Sequence, residues 1–169
     1  MSNFKAIKVA LLFVVMACCA FSVNAEKKKE LKYVNALEFR MINKGFDNTE
    51  SPYHRLPAYL KDSIMKDKSR AGLWDRARNC AGMAIRFSSD ATALSAKWVS
   101  TLELEMNHMT PVGIHGLDLY TLDDNNEWTF VSSVRPTVNK KASKYSIVSG
   151  MEKKMREYLL YLPLYDGID

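Results

Sequence analysis

The chain has 169 residues, with 24 Lys and Arg against 19 Asp and Glu, a net charge of +5 and three cysteines. Much of the basic excess lies at the start, in Lys5, Lys8 and the run Lys27 to Lys29, so the charge does not argue for a nucleic-acid partner. No internal repeat or low-complexity segment follows Lys29, and the length suits one ordinary domain.

Residues 1–25 have the three-part plan of a secretory signal peptide. Lys5 and Lys8 give a positive start, Val9 to Cys19 an apolar run, and Val23-Asn24-Ala25 a small-residue exit, with cleavage expected after Ala25. The run is shorter than the about 20 residues that span a bilayer, so no stable membrane insertion is expected once the signal is removed. The product is expected to be an exported bacterial protein, periplasmic or secreted. Val15-Met16-Ala17-Cys18 loosely resembles a lipobox, which leaves lipidation at Cys18 as an alternative. With the signal go Lys5, Lys8, Cys18 and Cys19, so the charge falls to +3 (22 basic against 19 acidic) and Cys80 becomes the only thiol. A single cysteine excludes an internal disulfide and reads as buried and inert. Residues 26–32 read as a basic flexible tail, and the domain is expected to span 33–165.

From Tyr33 to Phe46 the pattern is extended, with Leu37, Phe39 and Met41 on one parity and Gly45 punctuating the end. Asp47 to Arg78 opens on turn-formers, Asn48, Thr49, Ser51 and Pro52, and then passes Leu56-Pro57 into a charged stretch. Leu60, Ile64 and Met65 have helical spacing there, which predicts one or two short helical turns within an ordered surface loop. From Gly82 the period switches to two. Met83, Ile85 and Phe87 alternate with polar or small residues, and Leu94, Ala96 and Trp98 do the same. Leu117 to Leu122 and Glu127 to Val131 flank the turn tetrad Asp123-Asp124-Asn125-Asn126 and form the strongest hairpin signal. Lys144 to Val148 and Arg156 to Leu162 give two more strands. Short, regularly spaced strands without long helices indicate an all-β antiparallel sandwich or barrel.

Residues that carry chemistry are sparse. No Gly-x-Ser-x-Gly occurs, and Ser63 follows Lys61-Asp62 rather than a glycine. Cys80 paired with His108 or His115 is the remaining nucleophile arrangement, but Cys80 sits at the entrance to a core strand, the place of a small buried residue. His108 and His115 lack a clear third ligand, so no metal is expected, and no cofactor motif occurs. Asp123, Asn125 and Glu127 alternate as in a calcium loop without its central glycine and distal glutamate, and a hairpin turn explains them better. Trp74, Trp98 and Trp128 invite comparison with a sugar-stacking platform, though at period two Trp98 and Trp128 read first as sheet residues.

Four blocks of sequence carry a family resemblance: Tyr53-His54-Arg55-Leu56-Pro57 with Trp74, then Ala81-Gly82-Met83-Ala84-Ile85-Arg86-Phe87, then Asn107-His108-Met109-Thr110-Pro111 with Gly116-Leu117-Asp118-Leu119-Tyr120 and Trp128, and last Arg156 to Tyr165. In this order they resemble the N-terminal domain found upstream of certain SGNH-hydrolase-type esterases, named for its Gly-x-Asp-Leu-Tyr motif. The resemblance implies a jelly-roll-like β-sandwich of the carbohydrate-binding type, followed after Leu-Pro-Leu-Tyr by a separate hydrolase domain that holds the catalytic residues. None of these can be carried onto this chain, so it implies no catalytic residue here. Residues 166–169 are expected to begin the linker to an SGNH hydrolase domain absent from this chain. The chain would then be a truncated gene product or a module standing alone. Cys80 departs from the Ser or other small residue expected there.

The expected role is therefore a non-catalytic accessory domain of an exported carbohydrate esterase, the alternative being a stand-alone carbohydrate-binding module. Arg86, His108, His115, Asp118, Tyr120, Trp128, Leu164 and Tyr165 are the binding or domain-interface candidates. Asp118 is expected to receive bonds from loop amides or from Arg86 and so to fix the His108 to His115 loop. Leu162, Leu164, Tyr165 and Ile168 are expected to meet the partner domain. A glycan is the other partner considered.

Overall fold

Period-two patterning builds the main sheet. The computed structural model describes residues 31–101, 105–134 and 142–168. The signal peptide, the lipidation site and most of the basic tail lie outside the described residues. Within Tyr33–Asp169, a compact unit, five strands pair antiparallel in the order β1-β2-β7-β4-β5. These are β1 (Arg40–Ile42), β2 (Ala84–Ser89), β4 (Leu117–Leu122), β5 (Trp128–Val134) and β7 (Arg156–Tyr161). A second, two-stranded sheet pairs β3 (Ala93–Val99) with β6 (Ala142–Ser149). The register sets Met41, Ile85, Leu160 and Leu119 in one row across four strands. Alternate residues share a face, so this row belongs with Tyr158 and Leu117 on the inner face. Trp98 and Ile147 of the small sheet join them, with Cys80, Met83, Leu162 and Ile168 closing the same hydrophobic core. The arrangement is all-β and sandwich-like.

Three short helices interrupt the strands: α1 (Lys61–Lys66), α2 (Ala71–Ala77) and α3 (Pro111–His115). The first two exceed the one or two turns expected of the Asp47 to Arg78 loop, and they bury Ile64, Trp74 and Ala77. The third was not expected at all. Pro111 occupies its first turn, where its missing N–H costs nothing and its fixed φ suits a helix.

The extended pattern expected from Tyr33 to Phe46 is corrected. Asn35 accepts a bond from the Leu37 amide and caps a 3-10 turn at Ala36–Glu38, leaving three residues for β1. Leu37 and Phe39 are exposed, so their shared parity with Met41 marks no buried face. Asn43 then adopts a positive φ of 62°, which ends the strand, and its side chain bonds the Gly82 carbonyl at 3.0 Å.

Residues expected to start a linker at 166 are packed inside the domain: Asp166 is 0% exposed and Ile168 7%. The Asp166 carbonyl accepts from the Cys80 amide at 2.9 Å, the Gly167 carbonyl from the Thr101 amide at 3.1 Å, and Ile168 bridges Ser100 antiparallel. Glycine makes this approach possible, because a Cβ at residue 167 would lie 2.5 Å from Thr101 Oγ1 and 2.7 Å from the Arg78 carbonyl. Leu162 is likewise core rather than interface, while Leu164 stays exposed at 46%.

Candidate functional site

The Gly-x-Asp-Leu-Tyr segment begins where α3 hands over to β4. A Cβ on Gly116 would overlap the Val112 carbonyl and press on the Val134 carbonyl, so the tight exit from the helix requires glycine. From there β4 alternates. Leu117 and Leu119 are buried in the core, and Asp118, Tyr120 and Leu122 are directed to the outer face of the five-stranded sheet.

That outer face is organised in rows. Arg86, Leu159, Tyr120 and Phe130 stand side by side across β2, β7, β4 and β5, and Ala84, Tyr161, Asp118 and Ser133 form the adjacent row. The Tyr120 ring meets Phe130 edge-on at 5.5 Å and Tyr161 edge-on at 5.6 Å, a geometry that aromatic quadrupoles favour. The Arg86 guanidinium pairs with Glu157 and lies 5.9 Å over the Trp128 ring. Leu159, flanked in register by Arg86 and Tyr120, is 6% exposed although it lies on the outer face. Trp128 and Phe130 remain 37% and 53% exposed at the sheet margin. The result is an aromatic surface flanked by one ion pair.

Four of the residues predicted from sequence thus share this face: Arg86, Asp118, Tyr120 and Trp128. The others do not join them. His108 is exposed in a turn and contacts only its neighbour Asn107 at 3.1 Å among the bonds described for it. His115 is buried at the end of α3, where its Nδ1 meets Asp166 Oδ2 at 2.7 Å. A carboxylate can only accept, so Nδ1 donates in this pair. The other Asp166 oxygen accepts from the Gly167 amide at 2.7 Å and from Thr101 Oγ1 at 3.4 Å. Tyr165 is half-buried and donates its amide to the Ile114 carbonyl at 3.1 Å. Leu164 projects from the turn after β7.

The expected brace is therefore corrected. Asp118 accepts from the Ser133 hydroxyl at 2.8 Å on the neighbouring strand, and Arg86 pairs with Glu157 instead. The end of the His108 to His115 segment is held by Asp166 and Tyr165. Sequence reasoning missed Phe130, Tyr161, Glu157 and Asp166. The strand parity of Glu127 to Val131 could have flagged Phe130, which alternates with residues facing inward. Nothing local could have flagged Asp166, whose partner His115 lies 51 residues away.

Cys80 has no exposed surface, its Sγ lies 3.8 Å from the Tyr53 carbonyl, and burial pushes its thiol up to about 12. Burial also raises the Tyr53 phenol. Among the described residues no group of three or more His, Cys, Asp or Glu is arranged to hold a metal ion.

A family model named GxDLY, described as the N-terminus of SGNH-hydrolase-type esterases, matches residues 31–169. A crystal structure from Bacteroides ovatus, of a protein described as a GDSL-like lipase, superposes with a TM-score of 0.70 at 28% identity. The match covers 82% of this chain and 38% of that one, so this chain spans well under half the length of its structural neighbour. No curated protein matches the sequence.

Proposed function

The chain belongs to the GxDLY family, the N-terminus of SGNH-hydrolase-type esterases, and on that premise we propose that it is a non-catalytic accessory domain whose outer sheet face packs against a hydrolase domain. The observation that carries the proposal is the aromatic face itself. Trp128 and Phe130 lie exposed beside the Arg86–Glu157 pair, on a domain whose structural neighbour extends far beyond the matched region. Aromatic residues and arginine are enriched at protein interfaces, and lysine and serine depleted. The non-catalytic part rests on the chemistry of Cys80. A thiol pushed up to about 12 and shielded from solvent supplies no thiolate at neutral pH.

The test is esterase assay of residues 26–169 with p-nitrophenyl acetate. No turnover above buffer is expected, and Cys80→Ala should behave identically. Turnover that survives repurification and disappears in Cys80→Ala would overturn the non-catalytic reading.

The same exposed rings favour a second reading, a carbohydrate-binding module, because indole and phenyl faces stack on sugar rings. That reading expects saturable polysaccharide binding by the isolated domain, abolished by Trp128→Ala and indifferent to any hydrolase. We further propose that the protein is exported. Support comes from the Lys5 and Lys8 start, the apolar run to Cys19 and the Val23-Asn24-Ala25 exit. N-terminal sequencing of the protein recovered from the periplasm or medium of an expressing bacterium should begin at Glu26. A start at Met1 would refute cleavage, and a lipid-modified Cys18 would favour the lipobox.

A further inference from the structure

The small sheet is built like one side of a larger one. Strand β3 pairs with β6 along one edge, and among the described residues its other edge is bonded at one place only. That place is the antiparallel bridge between Ser100 and Ile168, with the Thr101 amide donating to the Gly167 carbonyl at 3.1 Å. This bond joins the residue after Ser100 to the residue before Ile168, so Ser100 and Ile168 form a non-hydrogen-bonded pair. Backbone groups alternate in direction along an antiparallel strand. The N–H and C=O groups of Lys97 and Ser95 and the N–H of Val99 therefore point to the same edge as Thr101, where the described residues provide no strand to meet them. Trp98, on the core side of β3, keeps its indole Nε1 buried without a hydrogen-bond partner among the described residues. Two-stranded pairs are marginal, and a third strand is the ordinary way to complete them.

We propose that this edge of β3 is a docking site for one extended segment, the polypeptide that follows Ile168 in a longer protein of this family. The proposal rests on the reading that a further domain follows, but it concerns a different surface from the aromatic face. The bridge fixes its direction and register. Chain leaving Ile168 antiparallel to β3 passes Trp98, Lys97 and Ala96 at the first, second and third positions after Asp169. Trp98 is buried and Ala96 is partly buried against the core, whereas Lys97 is exposed. The occupant is thus apolar at its first and third positions and polar at its second. Strand addition of this kind gains affinity from main-chain bonds and specificity from alternate side chains.

The experiment appends Val-Thr-Val-Thr-Val-Thr-Lys after Asp169 in one protein, and in another the same segment with proline replacing the first two threonines. Amide hydrogen exchange is followed by NMR, together with the Tm of each. The in-phase strand is expected to slow exchange at Ser95, Lys97 and Val99 at least tenfold and to raise Tm by roughly 5 °C. The proline version, which cannot donate to the ladder, is expected to leave both unchanged. Unchanged exchange at all three amides in the in-phase protein would overturn the proposal. Protection of the same amides in the unextended chain that grows with protein concentration would also overturn it, since a second copy would then be the occupant. Neither outcome depends on the hydrolase domain, so loss of that reading would show separately, in an association measurement.

Discussion

At the residue scale, two buried groups carry most of the consequences. Asp166 satisfies His115, Thr101 and its own neighbour's amide at once. Removing Asp166 takes the acceptor from several buried donors at once, and such losses run to about 1–3 kcal/mol. Asp166→Ala is expected to lower stability by that order in denaturant titrations. Asp118→Ala, which forfeits one bond to the Ser133 hydroxyl, should cost about 0.5–1.5 kcal/mol. The reverse ranking would return the bracing role to Asp118. The sequence pointed to Asp118 because it stands inside a recognisable motif, whereas Asp166 lies in a stretch whose composition looks like a linker. Only the tertiary approach permitted by Gly167 distinguishes them. Cys80 was legible, since a small residue at a core-strand entrance reads as buried. Its thiol, neutral in the fold up to about 12 but titrating near 9.0 when unfolded, stabilises fully below the unfolded value. Above it the unfolded chain sheds a proton that the fold retains, so stability falls as pH rises from 9 toward 12. Tyr53, also raised by burial, acts in the same direction. Alkaline Tm scans should show this loss, and Cys80→Ser, whose hydroxyl does not titrate there, should show less of it. Equal alkaline slopes would contradict the assignment.

At the scale of the element, alternation was readable wherever one face met the core. Strands β2 to β5 fall where period two placed them, because Ile85, Leu119 and Trp98 recur at the spacing the pleat demands. The failures share a cause. Leu37, Phe39 and Met41 alternate as well, yet Asn35 and Asn43 impose local backbone geometry at either end that side-chain parity does not register. In β7, apolar residues stand on both parities because the strand is central in the sheet, with Leu159 buried between Arg86 and Tyr120 in register. Gly116 makes the hand-over from α3 to β4 testable. Gly116→Ala forces a methyl group onto the Val112 carbonyl, and overpacking of this kind costs about 1–3 kcal/mol. A Tm within 1 °C of the parent, in a scan with about that resolution, would show that the turn relaxes freely.

For the whole molecule, the sandwich-like fold followed from strand spacing, and the family followed from four ordered blocks of sequence. The outer face was half legible. Arg86, Asp118, Tyr120 and Trp128 were named from motif and parity, but their gathering depends on the strand order β2-β7-β4-β5, which brings together segments up to 77 residues apart (Ala84 and Tyr161). Phe130 and Tyr161 complete the surface for the same reason. The proposed accessory role requires that surface to be an interface with a hydrolase domain. Its most direct test is calorimetric titration of residues 26–169 with a separately produced SGNH hydrolase domain from a longer member of the family, alongside Trp128→Asp and Phe130→Asp. Burying a charge among these rings should be costly at a true contact. The expected result is a saturable complex that either substitution weakens at least tenfold while the Tm of the domain is held. A complex indifferent to both substitutions, or no complex together with polysaccharide binding that Trp128→Asp abolishes, would contradict it.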